Sequence, residues 1–377
     1  MIEHENVRLR IGWIIGMLYL LTSLLSAQNE RYTFTDFTVK DGLSHANVLS
    51  IYEDKIGSYW VGTIDGLTRI LGNEIKNYSY HYSDSTSILS NHVQFVVEDA
   101  CGQLWVSTSH GVSKYFSNTD SFVPVFVAGN LLKAFSYQLE GQHILFGGNQ
   151  AIYSYDCSVG EIKPLLLLQS SFPLSINYFK RVDKNRFLVV DNYKGVFWVD
   201  AQTGVVTRFP TIHHKTEYNQ AFIDSESHLW LAPYTKGLEC YSLEDEGKLL
   251  HHYTTDNSLL SHNSVTDVKE FGSQLWIATD GGGINILDRK SGFFQHVTHS
   301  SFDEHSISSD FIRVLFEDSF GTKWAGTVHN GLICIHEGYM KHYSSVGNCE
   351  LKGHGYRSVS SICEDQDGNV WMGIEHS

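Results

Sequence analysis

The stretch Asp54-Lys55-Ile56-Gly57-Ser58-Tyr59-Trp60-Val61-Gly62-Thr63-Ile64-Asp65-Gly66-Leu67 decides the fold, because the chain keeps rewriting it. It returns as Asp99-Ala100-Cys101-Gly102-Gln103-Leu104-Trp105-Val106-Ser107-Thr108 and as Asp318-Ser319-Phe320-Gly321-Thr322-Lys323-Trp324-Ala325-Gly326-Thr327. Weaker copies place Phe146, Leu188, Trp230, Trp276 and Trp371 at the Trp position, in steps of 41 to 48 residues. A period in the forties marks a repeat architecture whose units bury their apolar faces against one another.

Each copy reads as four short strands. In the first, residues 48–53 are apolar along most of their length, as an inner strand covered on both faces is, and 59–63, 66–71 and 75–82 follow across turns. The same order recurs at 93–98, 104–108, 111–116 and 122–127. Four antiparallel strands per unit is the content of a propeller blade. The reading is therefore all-β: a seven-bladed β-propeller of four-stranded antiparallel blades over 29–346, followed by an incomplete first blade of a second propeller over 347–377. Residues 32–39 resemble a fourth strand with no inner strands of their own. They are expected to close blade seven beside 331–336, leaving 340–345 displaced toward the next module.

Arg8 and Arg10 precede an apolar run from Ile11 to Leu25, and small residues follow at Ser26-Ala27. That is the pattern of a signal peptide over 1–28, and it predicts a chain exported to the periplasm. Aromatic residues make up 13% of the chain, with 32 glycines and only 5 prolines, which suits short strands joined by tight turns. A formal charge of −15 argues against nucleic acid as a partner, while leaving room for a local basic patch. The six cysteines are spread over different repeats and show neither a disulfide framework nor metal-ligand spacing. Cys157, Cys240 and Cys334 occupy similar strand positions and read as small buried hydrophobes.

The repeated polar residues have structural readings. Asp54 and Gly57 bracket a hairpin turn, the carboxylate accepting backbone N–H groups and the glycine taking a positive φ. Glu53-Asp54, Glu98-Asp99, Glu317-Asp318 and Glu364-Asp365 recur at the same turn in several repeats, which a catalytic pair has no need to do. The 20 histidines include the doublets His213-His214 and His251-His252 and the pair His296/His299. Neighbours on a strand point to opposite faces, so the doublets do not aim both rings at one ion, and no metal or other cofactor is expected.

The pattern Gly42-Leu43-Ser44, Asn47-Val48, Ile51, Glu53-Asp54, Gly57, Trp60-Val61-Gly62-Thr63, Gly66-Leu67 resembles the two-component regulator propeller repeat. The resemblance runs over nearly all of 31–377, and is worn in repeats three to five. It implies the periplasmic sensor region of a hybrid two-component histidine kinase. In that family two seven-bladed propellers precede a β-sandwich, a membrane helix and cytoplasmic kinase, receiver and DNA-binding parts. Its members sense breakdown products of polysaccharides and switch on the genes for using them. The chain ends at Ser377, inside the eighth repeat, and so reads as the N-terminal piece of a longer, inner-membrane-anchored protein. The implied partners are an oligosaccharide, the second propeller with its downstream domains, and a second copy of the chain.

Two other classes are compatible with the fold: a propeller-fold carbohydrate-active enzyme, glycosidase or lyase, and a protein–protein scaffold. An enzyme would converge carboxylates, His or Tyr that break the repeat symmetry on the axis. The sialidase-type Asp box puts Gly two residues after Asp, whereas Asp54 to Gly57 is three. For a ligand, the links from second to third strand gather on one face. Tyr193 and Lys194 in blade four, Tyr234 and Lys236 in blade five, and His329 in blade seven are the candidate ligand-binding residues there. The tyrosines would stack on sugar faces, and the lysines would favour an acidic oligosaccharide.

Overall fold

The computed structural model describes residues 32–338, except 213–216, 246 and 304, together with 358–364 and 370–375. The signal peptide over 1–28, the doublet His213-His214 and the displaced segment 340–345 lie outside the described residues. The chain divides into a first unit ending at Tyr339 and a second beginning at Met340.

The first unit is a propeller of seven four-stranded antiparallel sheets. Blade 1 runs Val48–Glu53, Tyr59–Thr63, Gly66–Leu71 and Glu74–Tyr78, from inner to outer strand. Blades 2 to 6 repeat this order within residues 93–124, 136–167, 178–208, 218–253 and 265–297. Blade 7 takes Ile312–Glu317, Lys323–Thr327 and Leu332–Glu337 from the end of the unit and its outer strand, Tyr32–Phe37, from the start. Tyr32 pairs with Glu337 and Phe37 with Leu332, so blade 7 has an outer strand as the other six blades do. In the second unit Ser358–Glu364 pairs with Val370–Glu375 as a two-stranded hairpin.

Two strand ends differ from the sequence reading, for local reasons. The fourth strand of blade 1 stops at Tyr78, because the Tyr80 amide donates to Asn91 Oδ1 at 2.6 Å and joins the link to blade 2. The fourth strand of blade 2 spans Ser121–Pro124, since proline brings no N–H to the ladder. Phe126–Val127 then forms its own small hairpin with Asn130–Leu131.

The core lies between blades. Trp60 packs with Leu67, Tyr78, Val93 and Tyr115, and Trp105 with Phe95, Phe146 and Tyr155, so each second strand faces the next blade. Gly62 is required by that close approach: a Cβ there would lie 2.8 Å from Val93 Cγ1. Trp60, Trp105, Phe146, Leu188 and Trp276 are fully buried and Trp230 nearly so, but Trp324 is half-buried.

The turn aspartates do more than cap. Asp54 accepts the amides of Ile56 (3.2 Å) and Ser58 (2.8 Å), with Gly57 at φ +82°, and also accepts Trp60 Nε1 at 2.7 Å. The same six-residue reach recurs in Asp99 to Trp105 (3.0 Å), Asp224 to Trp230 (2.8 Å) and Asp318 to Trp324 (2.9 Å). Glutamates at the ends of inner strands clamp the neighbouring blade. Glu98 accepts Lys55 N (2.7 Å), Glu53 accepts Ser319 N (2.6 Å), and Glu270 accepts Ser225 N (2.8 Å).

At the junction of blades 2 and 3 a covalent bond takes this place. Cys101, in the blade 2 turn, is disulfide-bonded to Cys157, with 5.9 Å between Cα atoms. This corrects the reading of Cys157 as a buried hydrophobe without a partner. The two positions are 56 residues apart but lie on adjoining blades, a proximity that linear spacing does not reveal. Cys240 and Cys334 are buried free thiols, and burial pushes both up to about 12.

Candidate functional site

In blades 1, 2, 5, 6 and 7 the inner strand slips register by one residue, between Val48 and Ser50, Val93 and Phe95, Tyr218 and Gln220, Val265 and Asp267, and Ile312 and Val314. A bulge leaves one residue out of the ladder and re-aims its side chain. The five residues so released are Leu49, Gln94, Asn219, Thr266 and Arg313. Asn219 Nδ2 donates to Val265 O at 2.9 Å and Thr266 Oγ1 to Ile312 O at 2.6 Å, so each reaches the slip in the following blade. Arg313 has neither a hydrogen-bond nor an ion-pair partner among the described residues.

Above these bulges, the turn after each second strand is tied to the link entering the blade. Tyr234 N donates to Glu217 O (2.8 Å), Asp280 N to Ser264 O (2.9 Å) and Val328 N to Phe311 O (3.0 Å), as Ile64 N does to Asn47 O (3.2 Å). The backbone of the axial mouth is thus repeated while its side chains vary from blade to blade.

On the side of blades 4 to 7 that variation makes a cavity of about 350 Å³. Blade 4 lends Asn192 and Tyr193; blade 5 lends Tyr218, Asn219 and Tyr234, with Glu217 at its entry. Blade 6 adds Thr266, flanked by Ser264 and Asp280, and blade 7 adds Arg313. Tyr193 is 73% exposed and Tyr234 55% exposed, which leaves both rings free to stack on a ligand. The turn carrying Tyr193 is held from beneath by the buried Asp191, whose carboxylate accepts Tyr193 N and Ser175 N, each at 2.9 Å. Three phenol rings, two of them exposed, with two amides, two hydroxyls, two carboxylates and one guanidinium therefore meet around one opening. Such a set can hold a polyhydroxylated ring by stacking and by planar hydrogen bonds.

The structure brings Tyr193 and Tyr234 together and leaves the other three candidates outside the cavity wall. Lys194 is turned onto Pro173 O and lies 3.5 Å from Asp191 Oδ2. Lys236 is exposed beyond the lining, and His329 sits against Phe311 with ring centroids 6.0 Å apart. Glu217 and Arg313 escaped the sequence reading because they lie on the link and the inner strand, not on the turns between second and third strands. Arg313 was legible in principle, since it stands where the other repeats carry Leu49, Gln94 and Thr266.

Of the histidine pair, His296 Nε2 bonds Leu259 O at 2.6 Å and His299 Nδ1 bonds Ile307 O at 2.8 Å, so both rings serve the links. Among the described residues the grouping suited to a metal is Asp99 with Cys101 and Cys157, whose ligand atoms lie within 4.8 Å of one another. Its two sulfurs are already bonded to each other.

Residues 42–65 and 354–376 match the family model described as the two component regulator propeller. Histidine kinase P4 of Formosa agariphila is 50% identical over 64 residues, which are 17% of this chain and 5% of that kinase. The extracellular domain of a hybrid two component system from B. thetaiotaomicron superposes with a TM-score of 0.68 at 23% identity, over 91% of this chain and 47% of that one. Virginiamycin B lyase from Staphylococcus aureus, a catalytically inactive form with quinupristin, gives 0.58 at 12% identity, over 81% of this chain and 99% of that one. At these identities the structural likenesses speak to the fold alone. The chain spans about half the length of the first of these structures and a small part of the kinase.

Proposed function

We propose that this chain, which carries two-component regulator propeller repeats, is the ligand-sensing region of a hybrid two-component histidine kinase. In this reading it lies in the periplasm and detects oligosaccharides released from glycans, and its downstream domains pass the signal to polysaccharide-utilisation genes. The observation that carries it is the axial cavity, where Tyr193 and Tyr234 from adjoining blades stand exposed over a floor of polar bulge residues. Exposed aromatic pairs over hydrogen-bonding groups are suited to sugar rings, whose C–H faces stack and whose hydroxyls pair with amides and carboxylates. The repeats at 42–65 and 354–376 and the likeness to an extracellular domain support the sensor role.

Calorimetry with neutral and acidic oligosaccharides tests it. A binding sugar should lose most of its affinity in the Tyr193→Ala, Tyr234→Ala double variant; unchanged affinity would remove this face. Glu217 and Asp280 in one cavity favour a second reading, a glycosidase or lyase, because paired carboxylates serve acid–base cleavage. Turnover of a bound oligosaccharide, abolished by Glu217→Gln or Asp280→Asn, would establish it over the sensor.

A further inference from the structure

We infer that the axial cavity selects a sugar bearing a single carboxylate, held by Arg313, and rejects polyanionic sugars; this rests on the reading of the cavity as an oligosaccharide site. Arg313 is the residue released by the blade 7 bulge, so its backbone is pushed out of the ladder toward the opening it lines. The equivalent residues, Leu49, Gln94, Asn219 and Thr266, are uncharged. Arg313 is therefore the one cation among these five slips. It is exposed, and no carboxylate of the described residues lies within ion-pairing distance of it.

A guanidinium without a partner, the one cation in a wall of phenols, amides, hydroxyls and two carboxylates, is the group that pairs a carboxylate through two parallel N–H bonds. The lysines expected to supply positive charge do not do so: Lys194 is engaged by Asp191 and Pro173, and Lys236 is outside the lining. Against the single Arg313 stand Glu217 and Asp280 in the same wall, giving a local charge of −1 (one cation less two anions). One carboxylate on the ligand finds Arg313, whereas further carboxylates or sulfates meet like charge.

The test is an NMR titration of the chain with methyl glucuronide and methyl galacturonide, against methyl glucoside and methyl galactoside, with a heparin-derived tetrasaccharide as the polyanion. The uronides should bind about tenfold tighter than the neutral glycosides, the scale of one charge-assisted contact. Arg313→Gln should abolish that preference and Arg313→Lys should keep part of it. The tetrasaccharide should bind more weakly than the uronides, and should gain affinity in the Glu217→Gln, Asp280→Asn double variant. Equal binding of uronide and neutral glycoside, a preference that survives Arg313→Gln, or tightest binding of the tetrasaccharide would overturn the inference. If neutral glycosides bind as tightly as the uronides and Tyr193→Ala with Tyr234→Ala abolishes both, the site stands and only the carboxylate selection fails. Absence of saturable binding by every glycoside overturns both.

Discussion

Replacing Trp60 by alanine should be among the most damaging single changes in the propeller, and replacing Trp324, its counterpart in blade 7, should be much milder. Trp60 is 1% exposed, lies 5.0 Å from Tyr115 and 5.9 Å from Tyr78 by ring centroids, and donates its indole N–H to Asp54 at 2.7 Å. Truncation opens a cavity between blades 1 and 2 and takes one of three donors from the Asp54 carboxylate, for a loss of about 3–5 kcal/mol. Trp60→Phe keeps one six-membered ring but removes the N–H and the rest of the five-membered ring, and should cost about 1.5–3 kcal/mol. Trp324 is half-buried, with Tyr59 against it at 4.9 Å, so its loss removes less apolar contact and should cost about 1.5–3 kcal/mol. Urea titration followed by tryptophan fluorescence and circular dichroism measures all three, with the shift in midpoint multiplied by a common slope. Equal losses for Trp60→Ala and Trp324→Ala, or a loss below about 1 kcal/mol for Trp60→Ala, would refute the claim that burial between blades sets the value of this position.

Three further outcomes follow from the junctions. For Asp318, burial alone would raise its pKa, but bonds from Trp324, Tyr59 and the turn amides outweigh it and hold the carboxyl below its ordinary value; Asp224 is held down likewise by Trp230, His228 and Arg289. Their stabilisation is present above about pH 4 and lost as pH falls through the lowered values, so the melting temperature should drop steeply below pH 4; Asp318→Asn should flatten that drop, and an unaltered acid slope would contradict it. Replacing Cys101 and Cys157 together by serine frees a 56-residue span and should cost up to about 4 kcal/mol in the same urea assay, against no loss if the bond carries nothing. With their thiols pushed up to about 12, Cys240 and Cys334 should resist iodoacetamide at pH 8 until the chain is denatured, while the exposed Cys363 reacts; peptide mass spectrometry reads each site, and native labelling of Cys240 at the rate of Cys363 would count against it.

The ring was legible because its signals are local and repeated. Each Asp-to-Gly turn, each second-strand Trp and each glycine-led third strand can be read within about fifteen residues of sequence, and the copies reinforce one another. The orphan strand was legible too, since a closed sheet has no use for an unpaired edge. What escaped lies across the repeats. The bond between Cys101 and Cys157 joins positions of different register in adjoining blades, and the clamp from Glu98 to Lys55 N is a contact between two copies of one motif. The cavity was half legible: Tyr193 and Tyr234 follow from the turn that repeats, but Arg313 depends on a slip in strand pairing that leaves no mark in composition. Lys194 misled because a charge on a loop says nothing about the acid beside it, here Asp191.

Pairing Tyr32–Phe37 with Leu332–Glu337 also fixes an order in time. The first strand of the fold waits for its partner until roughly 300 more residues have been delivered, and closing a loop of that length is slow even though its entropy grows only with the logarithm of length. Each earlier blade can form as it arrives, using strands adjacent in the chain. The last one cannot, and until it does both ends of the arc show unfinished faces. Thr33, Thr35 and Asp36 break up the waiting strand with polar groups, which makes it a poor template for a stray neighbour. Closure also brings the Tyr59 hydroxyl to Asp318 at 2.8 Å and Ser319 N to Glu53 at 2.6 Å, so blade 1 and blade 7 are tied by side chains as well as by the shared sheet.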